Sequence, residues 1–554
     1  MIHPISKIRS AAAASLCMAQ LFCIANSNNL FAQTGSPVKK PLKVFILAGQ
    51  SNMEGHGKVT TFKHIGMDPK TAPMLEKMLG PDGKPREIDG VHIASLRGLT
   101  LEEDQAGKLT VGYGASKLGP KIGPEYTFGI YMHEALQEPV LLIKTAWGGR
   151  SLNYHFRSPS AGKWTPPPGH PDLTATEEVK PAPLPIPKTL DLPVGYTPGK
   201  EYLNPYSSLP GFFLFKGMRG CAIGHHNGVH PIYVCQDIKI KADGFPLKKG
   251  DLILGLNGEG LREDPKDHWR KYVYDELMNS PDWTLKVERW RDGKIESVEI
   301  DLAALELPGG KADIPKFFEE RELANIERAK KTGMHYHLMI DYTKKVLGDI
   351  KRVYPDYDPA QGYEIAGFVW FQGWNDMVSA DTYPNRDKPR GYEQYSWLLS
   401  HFIRDVRKDL NAPDMPFVIG VLGVNGKNEE FRNFREAMAA PANDPEFKGT
   451  VQAVQTADYW DEQLARLSQV ASTVASKKTE LATEKGLKGD ELAKALAEFE
   501  TTVWTPEEKA IYEAGVSNAS FHYLGSAKMI GQFGKAFAES MLDLRKHQKE
   551  PAKN

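Results

Sequence analysis

Cysteine, surplus charge and long apolar runs are all scarce in this chain, and each scarcity excludes a class of protein. Only four of the 554 residues are cysteines, so a small disulfide framework is excluded, and their spacing is not that of a zinc site. The 69 basic residues nearly cancel the 70 acidic ones, which argues against a nucleic-acid partner. Beyond the N-terminal region, no run is apolar enough to span a bilayer.

The N-terminal region has the composition of a secretory signal. Lys7 and Arg9 precede an apolar, alanine-rich run over residues 11–25 that contains no charge. A basic start followed by a short apolar run is typical of such signals, and the run is shorter than the roughly 20 residues that a membrane anchor needs. Cleavage is expected after Ser27 or Ala32. The sequence therefore predicts an exported protein, periplasmic or secreted, without a membrane span in its mature chain.

Two of the four cysteines, Cys17 and Cys23, would leave with the N-terminal residues 1–32. The mature chain would keep Cys221 and Cys235. An exported protein can join two such residues in a disulfide, but two buried thiols are equally compatible with the sequence.

Patterns typical of buried strands alternate with helical patterns along much of the chain. Two stretches with helical periodicity are Glu125–Leu136 and Asp341–Val353. This alternation predicts an α/β protein with a doubly wound, flavodoxin-like parallel sheet. We expect about five strands, formed by the apolar runs Lys43–Ala48, Pro139–Ala146, Ile365–Phe371, Pro416–Gly423 and Thr450–Thr456.

Three segments interrupt the alternation. Residues 158–210 are rich in proline and predict an extended linker. Residues 461–514 are charged, rich in alanine and helical in period, with breaks at Gly486 and Gly489, and predict an inserted helical hairpin. Residues 211–305 predict a small β-rich domain. The α/β domain is then divided into three parts, residues 41–157, 306–460 and 515–545.

The small β-rich domain has a distinctive strand and turn. An apolar strand within residues 246–258 ends in an Asn257-Gly258 turn, and two further strands are expected at Trp283–Trp290 and Ile295–Leu302. Together they resemble a PDZ domain. The resemblance implies capture of a peptide or protein partner, with a carboxylate-binding loop near Gly211-Phe212-Phe213-Leu214.

The first predicted strand ends in a turn that carries a serine. The run Val44–Ala48 is followed by Gly49-Gln50-Ser51-Asn52-Met53. In an open parallel sheet, ligands bind at the carboxyl ends of the strands, so Ser51 stands where a nucleophile belongs. The alternative is that Ser51 merely caps the helix that follows.

Three further blocks follow later strands or precede the last helix. Gly148 and Gly149 come after the second strand, and paired glycines let a backbone N–H approach a ligand closely. Asn375 follows the third strand, where its amide could stabilise an oxyanion, although a turn-forming role is equally possible. His522 lies just before a helix near the C-terminus and could act as a general base.

The four blocks resemble those of the SGNH hydrolases, in the branch of the sialate O-acetylesterases and acetylxylan esterases. The family carries Ser, Gly, Asn and His in this chain order, and Gly49-Gln50-Ser51-Asn52-Met53 is characteristic of the branch. The third block, Gly373-Trp374-Asn375-Asp376, matches the superfamily pattern, whereas this branch more often has Gln-Gly-Glu-x-Asp. The resemblance covers about residues 41–157, 330–460 and 515–545.

The resemblance implies a serine esterase that removes O-acetyl groups from carbohydrate and needs no metal or organic cofactor. His522 would deprotonate Ser51, and an acyl-Ser51 intermediate would then be hydrolysed. Backbone N–H groups of Ser51 and of Gly148 or Gly149 would hold the oxyanion with the side chain of Asn375. Residues expected to contact substrate are Gln50, Gln372 and Trp374, and Trp147 and Trp370 could stack on sugar rings or pack in the core.

One family feature is absent. The aspartate usually found three residues before the histidine is replaced by Ala519, and the neighbouring Asn518 carries no charge. A Ser–His dyad, or a carboxylate supplied by Asp458 or Asp376, remains possible. A decayed, non-catalytic binding or scaffold protein that acts through the PDZ-like domain is the alternative function.

Overall fold

The structure is a computed structural model that describes residues 40–165, 186, 188, 218–226, 230–238, 245–248, 250–260, 284–301, 323, 325–380 and 382–549, with the backbone alone in 218–226 and 230–238. The predicted signal and most of the predicted linker lie outside these residues. Among the described helices, none combines the length and the apolar character needed to cross a membrane.

The secondary structure alternates as predicted. The strands are β1 (Leu42–Gly49), β2 (Gly57–Lys58), β3 (Ile88–Leu96), β4 (Asp104–Leu109), β5 (Lys121–Ile122), β6 (Val140–Ala146), β7 (Met218–His226), β8 (His230–Ile238), β9 (Leu252–Leu256), β10 (Glu259–Gly260), β11 (Thr284–Arg291), β12 (Lys294–Asp301), β13 (Tyr363–Phe371), β14 (Phe417–Val421) and β15 (Val451–Gln455). The helices are α1 (Ser51–Glu54), α2 (Phe62–Gly66), α3 (Ala72–Met78), α4 (Glu125–Leu136), α5 (Met334–Gly348), α6 (Trp374–Met377), α7 (Glu393–Asp409), α8 (Arg432–Ala439), α9 (Glu462–Thr483), α10 (Gly489–Val503), α11 (Pro506–Gly515) and α12 (Ala527–Lys549).

The central sheet has seven strands in the order β15-β14-β13-β1-β6-β3-β4. All neighbours are parallel except β4, which pairs antiparallel with β3 at one edge. The five predicted strands are present as β1, β6, β13, β14 and β15, which confirms the mostly parallel α/β sheet. The expected number of strands was too low, because β3 and β4 were missed.

Helices cover both faces of this sheet, as two consecutive residues of β13 show. The ring of Trp370 lies 4.4 Å from that of Phe402 on α7, whereas the ring of Phe371 lies 5.5 Å from that of Phe537 on α12. Successive side chains of a strand point to opposite faces. The fully buried strand β1 therefore lies between two helical layers, and its carboxyl end can open onto a site.

The β-rich segment forms a second, antiparallel sheet in the order β12-β11-β9-β8-β7, with β10 paired to β9. The Asn257-Gly258 turn joins β9 to β10 as expected. The register of β7 and β8 places Cys221 opposite Cys235. A disulfide between these two residues stays a prediction. Much of residues 211–305, including the expected carboxylate-binding loop, lies outside the described residues, and the PDZ assignment also stays a prediction.

The segment expected to be a helical hairpin contains three helices, α9, α10 and α11. Gly486, between the first two helices, and Gly489, the first residue of the second, have φ values of +66° and +54°. Thr505 caps the third helix. Its hydroxyl accepts from the Glu508 backbone N–H, and the Glu508 carboxylate accepts from the Thr505 backbone N–H. This capping box is a strong helix start.

Candidate active site

Ser51 is the first residue of α1 and lies at the carboxyl end of the central strand β1. The residue that caps α1 is Gln50, without a side-chain capping bond, so Ser51 is not the helix cap that the alternative interpretation required. A Cβ at Gly49 would lie 2.1 Å from the carbonyl oxygen of Phe371, so this tight turn requires glycine. The Ser51 side chain is 8% exposed and its hydroxyl makes no hydrogen bond to another described residue.

Gln50 and Gln372 join the Ser51 turn to the loop after β13. The Oε1 atom of Gln50 accepts from the Nε2 of Gln372 (3.1 Å) and from the backbone N–H groups of Gly373 (3.2 Å) and Asn375 (3.4 Å). Both glutamines are buried and bonded within the protein. They therefore position the two loops and leave little surface for the substrate contacts expected of them.

The loop after β6 lies against the same turn. The Trp147 backbone N–H donates to the Gly49 carbonyl (3.2 Å), and Gly148 and Gly149 are exposed. A Cβ built on Gly148 would lie 3.8 Å from Ser51 Cβ. The Gly148 N–H donates to the carboxyl group of Glu54, whose pKa is raised by burial. The structure thus brings the expected oxyanion loop next to Ser51, with one of its amides held by Glu54.

Asn375 lies in the short helix α6, beside the Ser51 turn. Its backbone N–H is fixed by Gln50, and its half-buried side chain has no hydrogen-bond partner among the described residues. An unengaged amide at this position suits the expected role of oxyanion donor.

His522 lies on a tight loop that contacts the Ser51 turn. The Nδ2 of Asn52 donates to the carbonyl oxygen of Phe521 (3.2 Å), which joins the neighbours of Ser51 and His522. The Nδ1 of His522 is 3.2 Å from the Oδ1 of Asn518. Burial, with a smaller effect of Lys121, lowers the pKa of His522 to about 4. At neutral pH the imidazole is therefore uncharged and able to accept a proton.

The loop that carries His522 has an unusual backbone. Tyr523 and Leu524 have φ values of +50° and +57°, in the left-handed region that non-glycine residues rarely adopt. The buried hydroxyl of Tyr523 holds them in place, since it accepts from the Gly423 N–H (2.8 Å) and pairs with the Thr456 hydroxyl (2.7 Å). Such conformations cluster at functional sites.

One of the comparisons with known proteins bears on the function of this chain. Residues 41–164 and 324–472 match the family described as carbohydrate esterase, sialic acid-specific acetylesterase. This match supports a carbohydrate esterase. The two matched segments contain Ser51, Gly148, Gly149 and Asn375, whereas His522 lies beyond them. A comparison with curated proteins finds no match.

Two solved structures are similar to this chain at low identity. A protein from Arabidopsis thaliana is 12% identical, with a TM-score of 0.28, and the match covers 75% of this chain and 86% of that one. A carbohydrate acetylesterase from Xanthomonas citri is 9% identical, with a TM-score of 0.26, and the match covers 74% of this chain and 49% of that one.

Neither carboxylate suggested as the triad acid bonds to His522. Asp458 is exposed and pairs with Lys427 at 2.6 Å. Asp376 is buried beneath the loop after β6, where it accepts from the backbone N–H groups of Leu152 (2.7 Å) and Asn153 (3.1 Å). Position along the chain does not reveal the direction of a side chain, and the identity of the acid stays a prediction.

Asp376 instead holds the loop after β6 in place, and its replacement tests this role. In Asp376→Asn, one oxygen becomes an NH2 group that faces a backbone N–H, since Leu152 and Asn153 donate to different oxygens. A lost charged hydrogen bond and a buried unpaired donor predict a loss of about 2–3 kcal/mol of unfolding free energy. Urea unfolding measures it, and an unchanged midpoint would contradict the assignment.

Two residues near His522 were not anticipated as functional. The imidazole of His56 stacks on that of His522, with ring centroids 3.7 Å apart and an interplanar angle of 6°. Asn518 was noticed only for its missing charge. The sequence signal that pointed to both was weak: His56 follows the Ser51 turn, and Asn518 lies close to His522 in the chain.

Proposed function

We propose that the protein is a serine esterase of the SGNH type that removes O-acetyl groups from carbohydrate through an acyl-serine intermediate. The observation that carries this proposal is the convergence of three loops at the carboxyl end of β1. Ser51 lies on the first. A Cβ built on Gly148 of the second would lie 3.8 Å from Ser51 Cβ, and the Asn52–Phe521 hydrogen bond holds the third, with His522, beside the Ser51 turn.

The chemistry follows from these positions. His522 takes the proton of the Ser51 hydroxyl as Oγ attacks the ester carbonyl, and it returns the proton to the leaving alcohol. The oxyanion is stabilised by the backbone N–H of Ser51, an N–H of the Gly148-Gly149 loop and the Asn375 side chain. Water activated by His522 then releases acetate from Ser51.

Aromatic side chains beside His522 suit a sugar ring. Phe521 is 40% exposed, and its ring lies 5.8 Å from that of half-buried Trp374. Trp147 and Trp370, the other candidates for stacking, are buried among other rings and serve core packing. A carbohydrate ester that enters over Phe521 and Trp374 would place its acetyl group towards Ser51.

The test of the function uses the mature protein on three substrates: p-nitrophenyl acetate, an O-acetylated sialic acid and an acetylated xylan oligosaccharide. We expect release of acetate from at least one sugar ester and labelling by a serine-directed fluorophosphonate. Absence of both would overturn the proposal and favour a binding protein.

Export is proposed from Lys7, Arg9 and the apolar run after them. It is tested by N-terminal sequencing of protein recovered outside the cytoplasm.

The aromatic contact predicts a selective effect on sugar substrates. Phe521→Ala should raise KM for an acetylated sugar about tenfold, since loss of one aromatic contact costs about 0.5–1.5 kcal/mol, and leave KM for p-nitrophenyl acetate nearly unchanged. The matched control is Tyr363→Ala, because Tyr363 is similarly exposed but lies at the opposite end of the sheet. Equal effects on both substrates would contradict sugar stacking.

A further inference from the structure

We infer that the triad of this esterase is completed by an amide: Asn518 orients His522, and His56 holds the other end of the same amide. The inference rests on the proposed function, since it assigns a positioning residue to that site. It answers the question that the missing aspartate raises, because no described carboxylate bonds to His522.

The hydrogen bonds of Asn518 fix its orientation. The backbone N–H of Ala519 lies 2.7 Å from the Oδ1 of Asn518, and a backbone N–H can only donate. The atom that it meets must therefore be the amide oxygen. The Nδ1 of His522, 3.2 Å from the same oxygen, must also donate. A neutral imidazole that carries its proton on Nδ1 has its lone pair on Nε2, the atom that a serine's general base uses.

The other end of the amide determines the state of His56. The Nδ2 of Asn518 lies 3.2 Å from the Nδ1 of His56, which must accept. His56 then carries its proton on Nε2, a buried atom without a partner among the described residues. One amide thus sets opposite tautomers in two stacked rings. His56 must be neutral because its Nδ1 accepts, and the two rings cannot both be charged, since two charged rings 3.7 Å apart would repel strongly.

The loop holds Asn518 rigidly enough for this role. The backbone N–H groups of Ser517 and Asn518 both donate to the carbonyl oxygen of Leu524, at 2.7 and 3.0 Å. The hydroxyl of Ser517 donates to the Gly525 carbonyl at 2.8 Å. The left-handed residues at 523 and 524 turn the chain so that these bonds can form. A side chain fixed at both ends on a closed loop loses little entropy when it orients a partner.

The charged groups that act on His522 include no anion among the described residues. His56 stacks on it, and Lys121, on β5, is the charged group that most affects it. Lys121 and Lys144 also act on His56, whose pKa burial lowers to about 3. The carboxyl group of Glu54 acts on Lys121. An amide stabilises imidazolium much less than a carboxylate does, so this base should remain free well below neutral pH.

The decisive experiment replaces the amide with a carboxylate. Asn518→Asp keeps the acceptor for His522 and Ala519 but adds a negative charge, which favours imidazolium and so raises the pKa of His522. We expect the acidic limb of the kcat/KM profile to move upward by at least about one pH unit. An unmoved limb would overturn the inference.

A second variant removes the amide's hydrogen bonds. Asn518→Leu should lower kcat about 10- to 100-fold with little change in KM, because an unoriented base loses part of the 10²–10⁴-fold effect of general base catalysis. The control is Ser517→Ala, which removes a hydrogen bond of the same loop but touches neither imidazole. Equal effects of the two variants would reduce Asn518 to a structural role and overturn the inference.

A measurement without substrate separates this inference from the proposed function. ¹⁵N NMR of histidine-labelled Ser51→Ala, with the signal of His522 assigned by comparison with Ser51→Ala/His522→Gln, reports tautomer and pKa directly. We expect a proton on Nδ1 of His522 and an increase in its pKa when Asn518→Asp is added. A proton on Nε2 would overturn the inference even in an active enzyme. If the spectrum is as expected but the parent protein shows no esterase activity, the proposed function alone is overturned.

Discussion

Ser51→Ala should lower kcat/KM for acetyl-ester hydrolysis by about four orders of magnitude or more, because the covalent route disappears and only oxyanion stabilisation and binding remain. The fold should be unaffected. The Ser51 hydroxyl makes no hydrogen bond with a described residue, so its removal leaves no buried partner unsatisfied. Initial rates on p-nitrophenyl acetate and circular dichroism together measure both expectations.

The chain offers a matched control for this experiment. The hydroxyl of Ser160 lies 2.7 Å from the Nδ1 of His401 on an exposed surface. This pair imitates a nucleophile and base, but it lies away from the loops that would stabilise an oxyanion. Ser160→Ala should keep full activity, and fluorophosphonate should label Ser51 in both the parent and this variant. Loss of labelling in Ser160→Ala would contradict the assignment of the nucleophile.

The strands that could be predicted differ physically from those that could not. Strands β1 and β6 are buried throughout and β13 is buried from Ala366 onwards, so each contains a recognisable apolar run. Strand β4 is an edge strand of largely polar residues, whose burial differs little from that of a loop. In β3 the apolar run is shortened by Asp89 and by Gly90, which has a φ of +77°. Such strands carry no strong periodic signal.

The parts of the candidate site that could be predicted are those where a residue type has one common role at the end of a buried strand. Ser51 and the two glycines follow buried strands, and the topology of a parallel sheet brings such positions together. The Asp376 carboxyl group is buried under Leu152 and Asn153, whereas its neighbour Asn375 is half-buried with a side chain that bonds to no described residue. A one-residue step along a helix turns the side chain by about 100°, which sequence order alone does not reveal.

The role inferred for Asn518 could not be found from sequence for a different reason. The search for a third triad member looked for a carboxylate, whereas the group bonded to His522 is an amide. Its position depends on two consecutive left-handed residues, Tyr523 and Leu524, which backbone propensities disfavour. Local preference was overridden there by the buried hydrogen bonds of the Tyr523 hydroxyl.

The second large effect concerns stability and a buried ion pair beneath the site. The Nζ of Lys144 lies 2.7 Å from the carboxylate of Glu125, and both side chains are almost completely buried. Glu125→Gln keeps the size of the side chain and its acceptor for the Gly123 N–H, but leaves the ammonium group without an anion. We expect a loss of about 3–5 kcal/mol of unfolding free energy, the usual cost of breaking a buried pair. Urea denaturation at pH 7 measures it.

A surface pair provides the comparison for that loss. Glu446 and Arg404 form a two-bonded ion pair with both side chains substantially exposed. Glu446→Gln should cost about 1 kcal/mol or less, because exposed charges are solvated in either state. A similar loss in the two variants would contradict the interpretation that desolvation at Lys144 dominates.

The pH dependence of the Glu125→Gln deficit gives a sharper test. Burial already lowers the pKa of Lys144 in the folded protein, and loss of the anion lowers it further. A lysine whose folded pKa lies below its unfolded value destabilises the fold most when pH is below the folded pKa, and the penalty fades as pH rises towards the unfolded value. The deficit relative to the parent should therefore be largest at neutral pH and smaller at pH 10. A deficit that grows with pH would contradict this cause.

The same ammonium group links stability to catalysis. Its Nζ also donates to the carbonyl oxygens of Glu54 (2.8 Å) and Tyr113 (2.9 Å), and Glu54 is the last residue of the turn that begins with Ser51. Glu125→Gln favours the neutral amine of Lys144, which can still donate to both carbonyls but is a weaker donor than an ammonium group, so the turn loosens. Even where the variant is fully folded, kcat should therefore fall, whereas Glu446→Gln should leave kcat unchanged. Equal kcat values in the two variants would show that the Ser51 turn does not depend on the charge beneath it.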